Sequence, residues 1–490
     1  MWRSANAAAI ALLFTASAAT TQPLETLSTR GTDIVNSKGE VVPMRGINFG
    51  GWLMMETWIP SLELEMHDRL PELAKETGVL EAYESAIKKM GDFNDDTTKA
   101  SKYIEGVLSA VKETADAQKY ESFAQLVAKE PPLHAATDID ALLKKRFGDN
   151  GAAEIWNAFH DTWITETDFQ LAKAVGFNFV RIPFWYRWFE NESQPYTYND
   201  YGFSYLDKAV KWASAQRMYI LLDLHGAPGG QSPWLHTGEI SRGEFFQNEE
   251  FQKRAAALWR VIAERYKDEP AVWGYDLLNE PYSAKGLDDW THAHDLLYKS
   301  IREVDPDTII VMEDGYKLED LPWREKGFFP VPKTVGWTNV VYSFHFYSGA
   351  DPEFTTGNKD SGHARFLKEV LRVGSREQKR CQVPIYLGEF STMGDSANDI
   401  EGMRLFLDAF NAKGWAWSPW TWKYVNDDGI GSIWGLYQFL DPWPRTPNMH
   451  RDSKEEILSV IARTKTENFR LIEPYAAVIR ECTKNTTVKP

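Results

Sequence analysis

Eight short runs rich in β-branched and aromatic residues recur along this 490-residue chain. They are RGINFGG (45–51), FNFVRIPF (177–184), MYILLDLHG (218–226), VWGYDLLNEP (272–281), TIIVMEDG (308–315), VVYSFHFY (340–347), PIYLGEFS (384–391) and GWAWSPWTW (414–422). Between them lie stretches such as YLDKAVKWASAQ (205–216) and QKRAAALWRVIAERYK (252–267), whose apolar residues recur three and four apart. That spacing lines one face of a helix. Strand and helix in alternation mean a parallel sheet covered by helices. Eight such units predict an α/β fold, a closed (β/α)8 TIM barrel. A doubly wound open sheet is the alternative, but no glycine-rich phosphate loop opens a helix.

The ends of the runs carry the chemistry. Most pass from apolar residues to a polar or aromatic one: Arg181, His225, Asn279-Glu280, His345 and Tyr347, Glu389, Trp420. In a (β/α)8 barrel the active site sits at the C-terminal ends of the strands. One such ending is an accident; a ring of them is a constellation.

One interval breaks the repeat. More than 120 residues separate the first two runs, where about 30 suffice for a βα unit. Residues 61–160 are rich in Glu, Lys and Ala and read as a helical insertion after strand 1, with helices near 72–90, 97–129 and 138–147. Its position predicts that it rises on the catalytic face and walls one end of a cleft; a solvated appendage is the bland reading. WITETDFQLAKAVG (163–176) then reads as the first regular barrel helix, and residues 31–46 as a hairpin that plugs the barrel floor. No binding module or Ser/Thr-Pro linker is evident, so residues 19–490 are expected to form a single catalytic domain.

Residues 1–18 have the pattern of a signal peptide: Arg3, an apolar run from Ala7, and Ala16-Ser17-Ala18 as a cleavage site. A secreted protein is expected, extracellular, periplasmic or associated with the cell wall. No run reaches the ~18 apolar residues of a membrane span. The net charge of −16 argues against nucleic acid as partner. A neutral polymer meets no such repulsion, and a monomer is expected. Export would permit a disulfide between Cys381 and Cys482, the only cysteines; two buried thiols are the alternative.

Glycosidic bonds are cleaved between two carboxyl groups, one protonated to assist the leaving oxygen and one ionised to attack or to activate water. Glu280 and Glu389 end the fourth and seventh runs, on opposite sides of an eight-membered ring. Asn279 could donate to a sugar 2-hydroxyl. Arg181 and Tyr347 could donate to Glu389 and keep it ionised. His345 and Tyr347, two apart, share a strand face.

Together LLNEPY, YLGEFS, VRIPF, LDLHG, the H-x-Y of SFHFYS and the Trp of SPWTWK resemble glycoside hydrolase family 5, over roughly residues 31–60 and 159–480. The resemblance implies Glu280 as acid/base and Glu389 as nucleophile, with retention of configuration. It implies support from Arg181, His225, Asn279, His345 and Tyr347. It implies Trp420 as the platform under the −1 sugar, followed by a non-proline cis peptide; Trp422 competes for that place. No Cys/His cluster suggests zinc, and no cofactor or metal is expected. RGINFGGWLMMETWI (45–59) and LLDLHGAPGGQ (221–231) are similar to the exo-β-1,3-glucanase branch, in which the residue matching Glu56 binds the non-reducing-end sugar. Thr57, the long insertion and the loop after His225 depart from that branch, which leaves the linkage open.

The expected substrate is a β-glucan. An endo-β-1,4-glucanase, a β-glucosidase acting on small or lipid glycosides, and a catalytically inactive carbohydrate-binding barrel are the alternatives. His292 and His294 form H-x-H but lie two apart in a helix and so point away from each other. Trp185, Trp188, Trp234 and Trp434 follow strand runs and divide between sugar stacking and loop packing.

Overall fold

The computed structural model describes residues 24–63, 66–91, 99–240, 242–315, 327–348, 362–392, 394, 396–425, 434–439, 443 and 445–484. The export signal expected at 1–18 lies outside them. An N-terminal hairpin, β1 (Leu27–Arg30) and β2 (Asp33–Asn36), precedes the barrel. The barrel strands are β3 (Gly46–Asn48), β4 (Phe179–Trp185), β5 (Tyr219–Gly226), β6 (Val272–Asp276), β7 (Ile309–Glu313), β8 (Val340–Tyr347), β9 (Ile385–Ser391) and β10 (Ala416–Trp417). Each of the eight runs contributes one strand. All neighbours pair in parallel and in chain order. A parallel bridge between Arg45 and Trp417 closes the ring, aided by the Trp417 amide, which donates to the Met44 carbonyl at 3.2 Å. Strands β4 to β7 and β9 are buried along their whole length. That is why these runs read as continuously apolar instead of alternating.

The barrel has an apolar floor. Phe179, Leu221, Trp273, Val311, Val341 and Tyr386 point inward there and pack on Leu27, Ile34 and Met44. The plug is thus present, but its hairpin spans Leu27–Asn36 and not 31–46. Gly31 takes the turn at φ 58°, which sets the first strand before it. Val41 only adds a bridge to Val35.

The insertion is helical, with different breaks. The helix expected at 72–90 is two, Met66–Glu76 and Leu80–Met90, separated around Gly78 at φ 73°. The one expected at 97–129 is also two, Ala100–Thr114 and Ala117–Lys129. Asp116 starts the second by accepting from the amides of Gln118 and Lys119. These four helices share an apolar centre of their own, including Leu70, Leu73, Val107, Val111 and Phe123. The third, expected at 138–147, runs from Ala136 to Trp163 with a kink at Gly148. Its Ile139, Leu143, Ile155, Trp156, Phe159 and Trp163 join the main core, so it belongs to the barrel's packing. The next helix is Glu166–Val175, as expected.

The insertion sits on the catalytic face. Thr137 donates its amide to the Gly238 carbonyl at 3.0 Å, on the loop after β5. Arg146 donates to the Asp452 carbonyl at 2.8 Å, and Arg451 grips Glu130 at 2.8 Å, on the segment after β10. None of the described helices is long and apolar enough to cross a membrane.

Candidate active site

The inward-facing residues change character toward the C-terminal ends of the strands. Two residues beyond Phe179 stands Arg181, fully buried. Its Nε donates to Asp276 at 2.9 Å, its Nη1 to Glu389 at 2.7 Å and Asn48 at 3.1 Å, and its Nη2 to Glu313 at 2.7 Å and Asn279 at 2.9 Å. Asp223 lies 3.0 Å from Nη2. Burial alone would discourage this charge, but the four carboxylates more than offset it and hold the guanidinium protonated. One cation cannot satisfy four buried anions. Burial pushes Asp223 and Asp276 well above the carboxylate range, against the pull of Arg181.

Glu389 reaches this layer through a break in strand alternation. Along β8 and β9 the partners run Tyr342–Ile385, Ser343–Tyr386, Phe344–Leu387 and then His345–Glu389. Gly388 is the extra residue. Without it Glu389 would face the helices, because side chains alternate along a strand. A Cβ at Gly388 would lie 2.5 Å from His345 Nε2 and 2.7 Å from Ser343 Oγ, so any side chain there would have to displace them. Arg181 then holds Glu389 Oε1, and the Tyr347 hydroxyl donates to Oε2 at 2.6 Å. Burial and the adjacent Glu389 push the Tyr347 phenol well up, so it remains a donor.

Glu280 sits past the end of β6 at φ 41°, a left-handed conformation that a side chain of this size rarely adopts. Its amide donates to Glu313 Oε2 at 2.8 Å, which holds the turn. His345 Nδ1 lies 3.1 Å from Glu280 Oε1, and His236 Nδ1 lies 3.6 Å from Oε2. Burial resists ionisation of Glu280. The hydrogen bond from His345 and the two nearby imidazoles outweigh it and hold the carboxyl down to about 2. Burial likewise opposes charge on His345, but Glu313, Glu389 and Glu280 raise it well above the ordinary range. The Glu280–His345 pair therefore holds one proton, on the imidazole in the free site.

Glu280 and Glu389 face each other, with an oxygen of each within 4.8 Å of the other. They line a cavity of about 140 Å³ with Glu56, Trp58, His225, His236, Asn279, Tyr347, Trp420 and Trp434. His225 donates to or accepts from Asp223 at 2.7 Å, and its ring stacks on Trp420 with centroids 5.6 Å apart. Burial, joined by repulsion from Glu389, pushes Glu56 up to about 8, against the hydrogen bond from Trp58. Trp420 forms one cavity wall, and the peptide that follows it is cis. Trp422 is fully buried and donates to Asp168 at 2.8 Å. Of the two candidates for the platform, Trp420 is the one that lines the cavity.

A profile of the cellulase family, glycosyl hydrolase family 5, matches residues 147–426. The chain belongs to glycosyl hydrolase family 5. Among curated relatives, it is 28% identical over 313 residues to the Beta-xylosidase of Phanerodontia chrysosporium, covering 60% of this chain and 63% of that one. It is 30% identical over 246 residues to the Probable glucan 1,3-beta-glucosidase A of Aspergillus terreus, covering 49% and 56%. It is 31% identical over 350 residues to Endoglucanase C of Acetivibrio thermocellus, covering 62% and 93%. The chain thus spans less than two thirds of the length of the first two. The crystal structure of AoRut shares the fold, at a TM-score of 0.55 and 16% identity, covering 81% of this chain and 96% of that one. The crystal structure of an endogalactoceramidase does so at 0.50 and 16%, covering 82% and 76%.

All nine candidate site residues of this family 5 barrel converge on one site. Glu56, His225, Asn279, Glu280, Tyr347, Glu389 and Trp420 line the cavity. Arg181 lies beneath it, and His345 stands between the two glutamates, 3.7 Å from Glu389. Three further residues escape sequence reasoning. Glu313 ends β7 by the rule that finds the others, Trp58 stands two residues from Glu56, and no periodicity marks His236. Trp434 lines the cavity against Trp58, with ring centroids 5.1 Å apart. Trp185 is buried at the end of β4, and Trp188 packs on Trp156; neither lines the cavity. Trp234 stands beside Tyr282, with centroids 5.3 Å apart. His292 is exposed, whereas His294 is fully buried on Trp290, where burial lowers it to about 3. Cys381 and Cys482 are free buried thiols. Among the described residues, two donor groups come close enough for a metal, Glu280–His345–Glu389 and Asp223–Asp276–Glu313. The guanidinium of Arg181 already binds all three acids of the second.

Proposed function

We propose that the protein is an exported, retaining β-glycosidase that takes β-glucosidic bonds of glucans, in the manner of an exo-β-1,3-glucanase. The observation that carries this reading is the approach of the Glu280 and Glu389 oxygens to within 4.8 Å. Retaining enzymes hold their carboxyl groups about 5–5.5 Å apart, whereas inverting ones leave about 6.5–9.5 Å for a water. Residues 1–18 would direct export and be removed, leaving a monomeric catalytic unit.

The surroundings divide the two roles. Glu389 accepts from Arg181 and Tyr347, which orient it to attack the anomeric carbon. The Glu389–carbon bond forms as the glycosidic bond breaks. Glu280 delivers a proton to the departing oxygen, and that proton comes from the pair with His345. Substrate that displaces water makes the charged pair costly and favours proton transfer to the carboxyl. Glu280, now ionised, next takes a proton from water, which attacks the glycosyl–Glu389 ester. The Asn279 carbonyl is committed to Arg181, so its NH2 is left to donate to the sugar 2-hydroxyl. The small cavity suits one terminal sugar in preference to a run of them, which favours exo action. The match to Endoglucanase C over most of that protein's length keeps endo cleavage as the second reading.

A 2-deoxy-2-fluoro-β-glucosyl fluoride should label the enzyme once, and peptide mass spectrometry should place the label on Glu389. A label elsewhere, or none alongside inverted product, overturns the assignment. Laminarin should yield glucose alone; a ladder of oligomers from laminarin or carboxymethylcellulose means endo action.

A further inference from the structure

His236 lies in the loop after β5, in the short turn Leu235–Thr237, and its imidazole reaches the rim of Glu280. It is almost wholly buried, at 9% exposed. Its Nε2 contacts Ser232 Oγ at 2.9 Å, and Ser232 is itself fully buried and takes the Trp234 amide at 3.3 Å. A hydroxyl that accepts from Trp234 still has its proton to give to the imidazole. With Nε2 as acceptor the ring proton sits on Nδ1, the atom facing Glu280 Oε2 at 3.6 Å. The other Glu280 oxygen faces His345. The candidate acid/base is thus flanked by two imidazoles of opposite habit, because burial holds His236 below the ordinary range whereas His345 is raised above it.

The loop that carries His236 is braced on several sides. Gln231, fully buried, donates to the carbonyls of His225 at 2.7 Å and Asn279 at 2.8 Å, which ties the loop to the ends of β5 and β6. Gly238 turns at φ 82°, where a Cβ would lie 2.7 Å from the Trp185 ring. Its carbonyl takes the Thr137 amide, at the start of the long Ala136–Trp163 helix. The insertion therefore ends on the turn that sets His236.

We propose that His236 is a positioning residue for Glu280: an imidazole whose Nδ1–H stabilises and aims the Glu280 carboxylate. The inference rests on the reaction proposed above. The 3.6 Å separation is longer than a hydrogen bond, and such contacts in free sites tighten when substrate binds. The titratable groups facing His236 are Glu280, Glu389, His345, Asp223 and His225. Of these, His345 acts on the same carboxylate, so the two imidazoles are separable only by kinetics that depend on proton donation.

The experiment compares wild type, His236→Phe and His236→Asn on 2,4-dinitrophenyl and 4-methoxyphenyl β-glucosides, with the pH dependence of kcat/KM. The dinitrophenolate departs without help, whereas the methoxyphenoxide needs a proton. His236→Phe should cut kcat/KM about 30-fold or more on the methoxyphenyl substrate and under threefold on the dinitrophenyl one. With a donor lost, the ionised form of Glu280 is less stabilised, so the alkaline limb should move to higher pH. His236→Asn retains a donor and should restore both the limb and most of the rate. Equal losses on the two substrates with an unmoved limb, or no loss at all, overturn the inference alone. A wild type inert to both glucosides overturns the proposed reaction and this inference with it.

Discussion

The two ends of the barrel are built from the same strands and share almost nothing chemically. At the floor Phe179, Leu221, Trp273, Val311 and Tyr386 form an aromatic and aliphatic plate. One inward position on, two residues and roughly 7 Å along each strand, Arg181, Asp223 and Glu313 form a fully buried layer of charge-bearing side chains. The floor needs only volume and apolar surface. The mouth needs charge held away from water, which costs several kcal/mol per ion unless each is paired. The difference teaches where the stability of such a molecule is made and where it is spent.

Paired substitutions test that contrast most severely. Arg181→Met extends the floor's chemistry one layer upward and leaves the acids around it without a cation. Stability should drop by about 3–5 kcal/mol in denaturant melts, and kcat/KM by more than about a hundredfold, ~2.7 kcal/mol of transition-state stabilisation. Leu221→Ala in the floor should cost about 2–5 kcal/mol with kcat within about twofold, measured below its melting temperature. If Leu221→Ala lost as much kcat as Arg181→Met, the two ends would not be separable.

Gly388→Ala sharpens the boundary between the layers. The added methyl meets His345 and Ser343, so either β9 shifts or the imidazole moves. A stability loss of about 1–3 kcal/mol is expected, with a larger proportional fall in kcat than in binding of a glucose-like inhibitor. Unchanged kcat would mean that the bulge does not aim Glu389.

The mildest effect is expected at Glu56, held up to about 8 by burial and by Glu389. Its neutral form is the one the folded site prefers. The stability it contributes is complete below the unfolded value of 4.5 and is lost as pH rises through 8. Substrate KM should climb about threefold above pH 8 in the wild type and stay flat in Glu56→Gln. The variant should also melt higher than wild type at pH 9 by a wider margin than at pH 6. Parallel KM profiles would remove Glu56 from sugar binding.

Much of the fold and of the site is legible in the amino-acid sequence. The eight runs can be read because a sheet buried on both faces writes itself as apolar stretches, and the site because a barrel gathers its strand ends. Glu313 obeys the same rule, but an acidic residue at the end of a run does not by itself announce a partner. Other features have no one-dimensional trace. Strict alternation puts Glu389 on the wrong face, and only pairing with β8 reveals Gly388 as the extra residue. His236 depends on a loop braced by a helix about a hundred positions away, and helix breaks in the insertion turn on Gly78 and Asp116, which composition does not weigh.

The hairpin under the floor has a practical consequence. Leu27 and Ile34 seal the barrel on the side opposite Glu280 and Glu389. An anchor joined at Leu24 would leave from that underside. On a bead, a cell surface or a scaffold, the catalyst would then stand with its opening turned outward to the medium, and the attachment would not compete with incoming polymer.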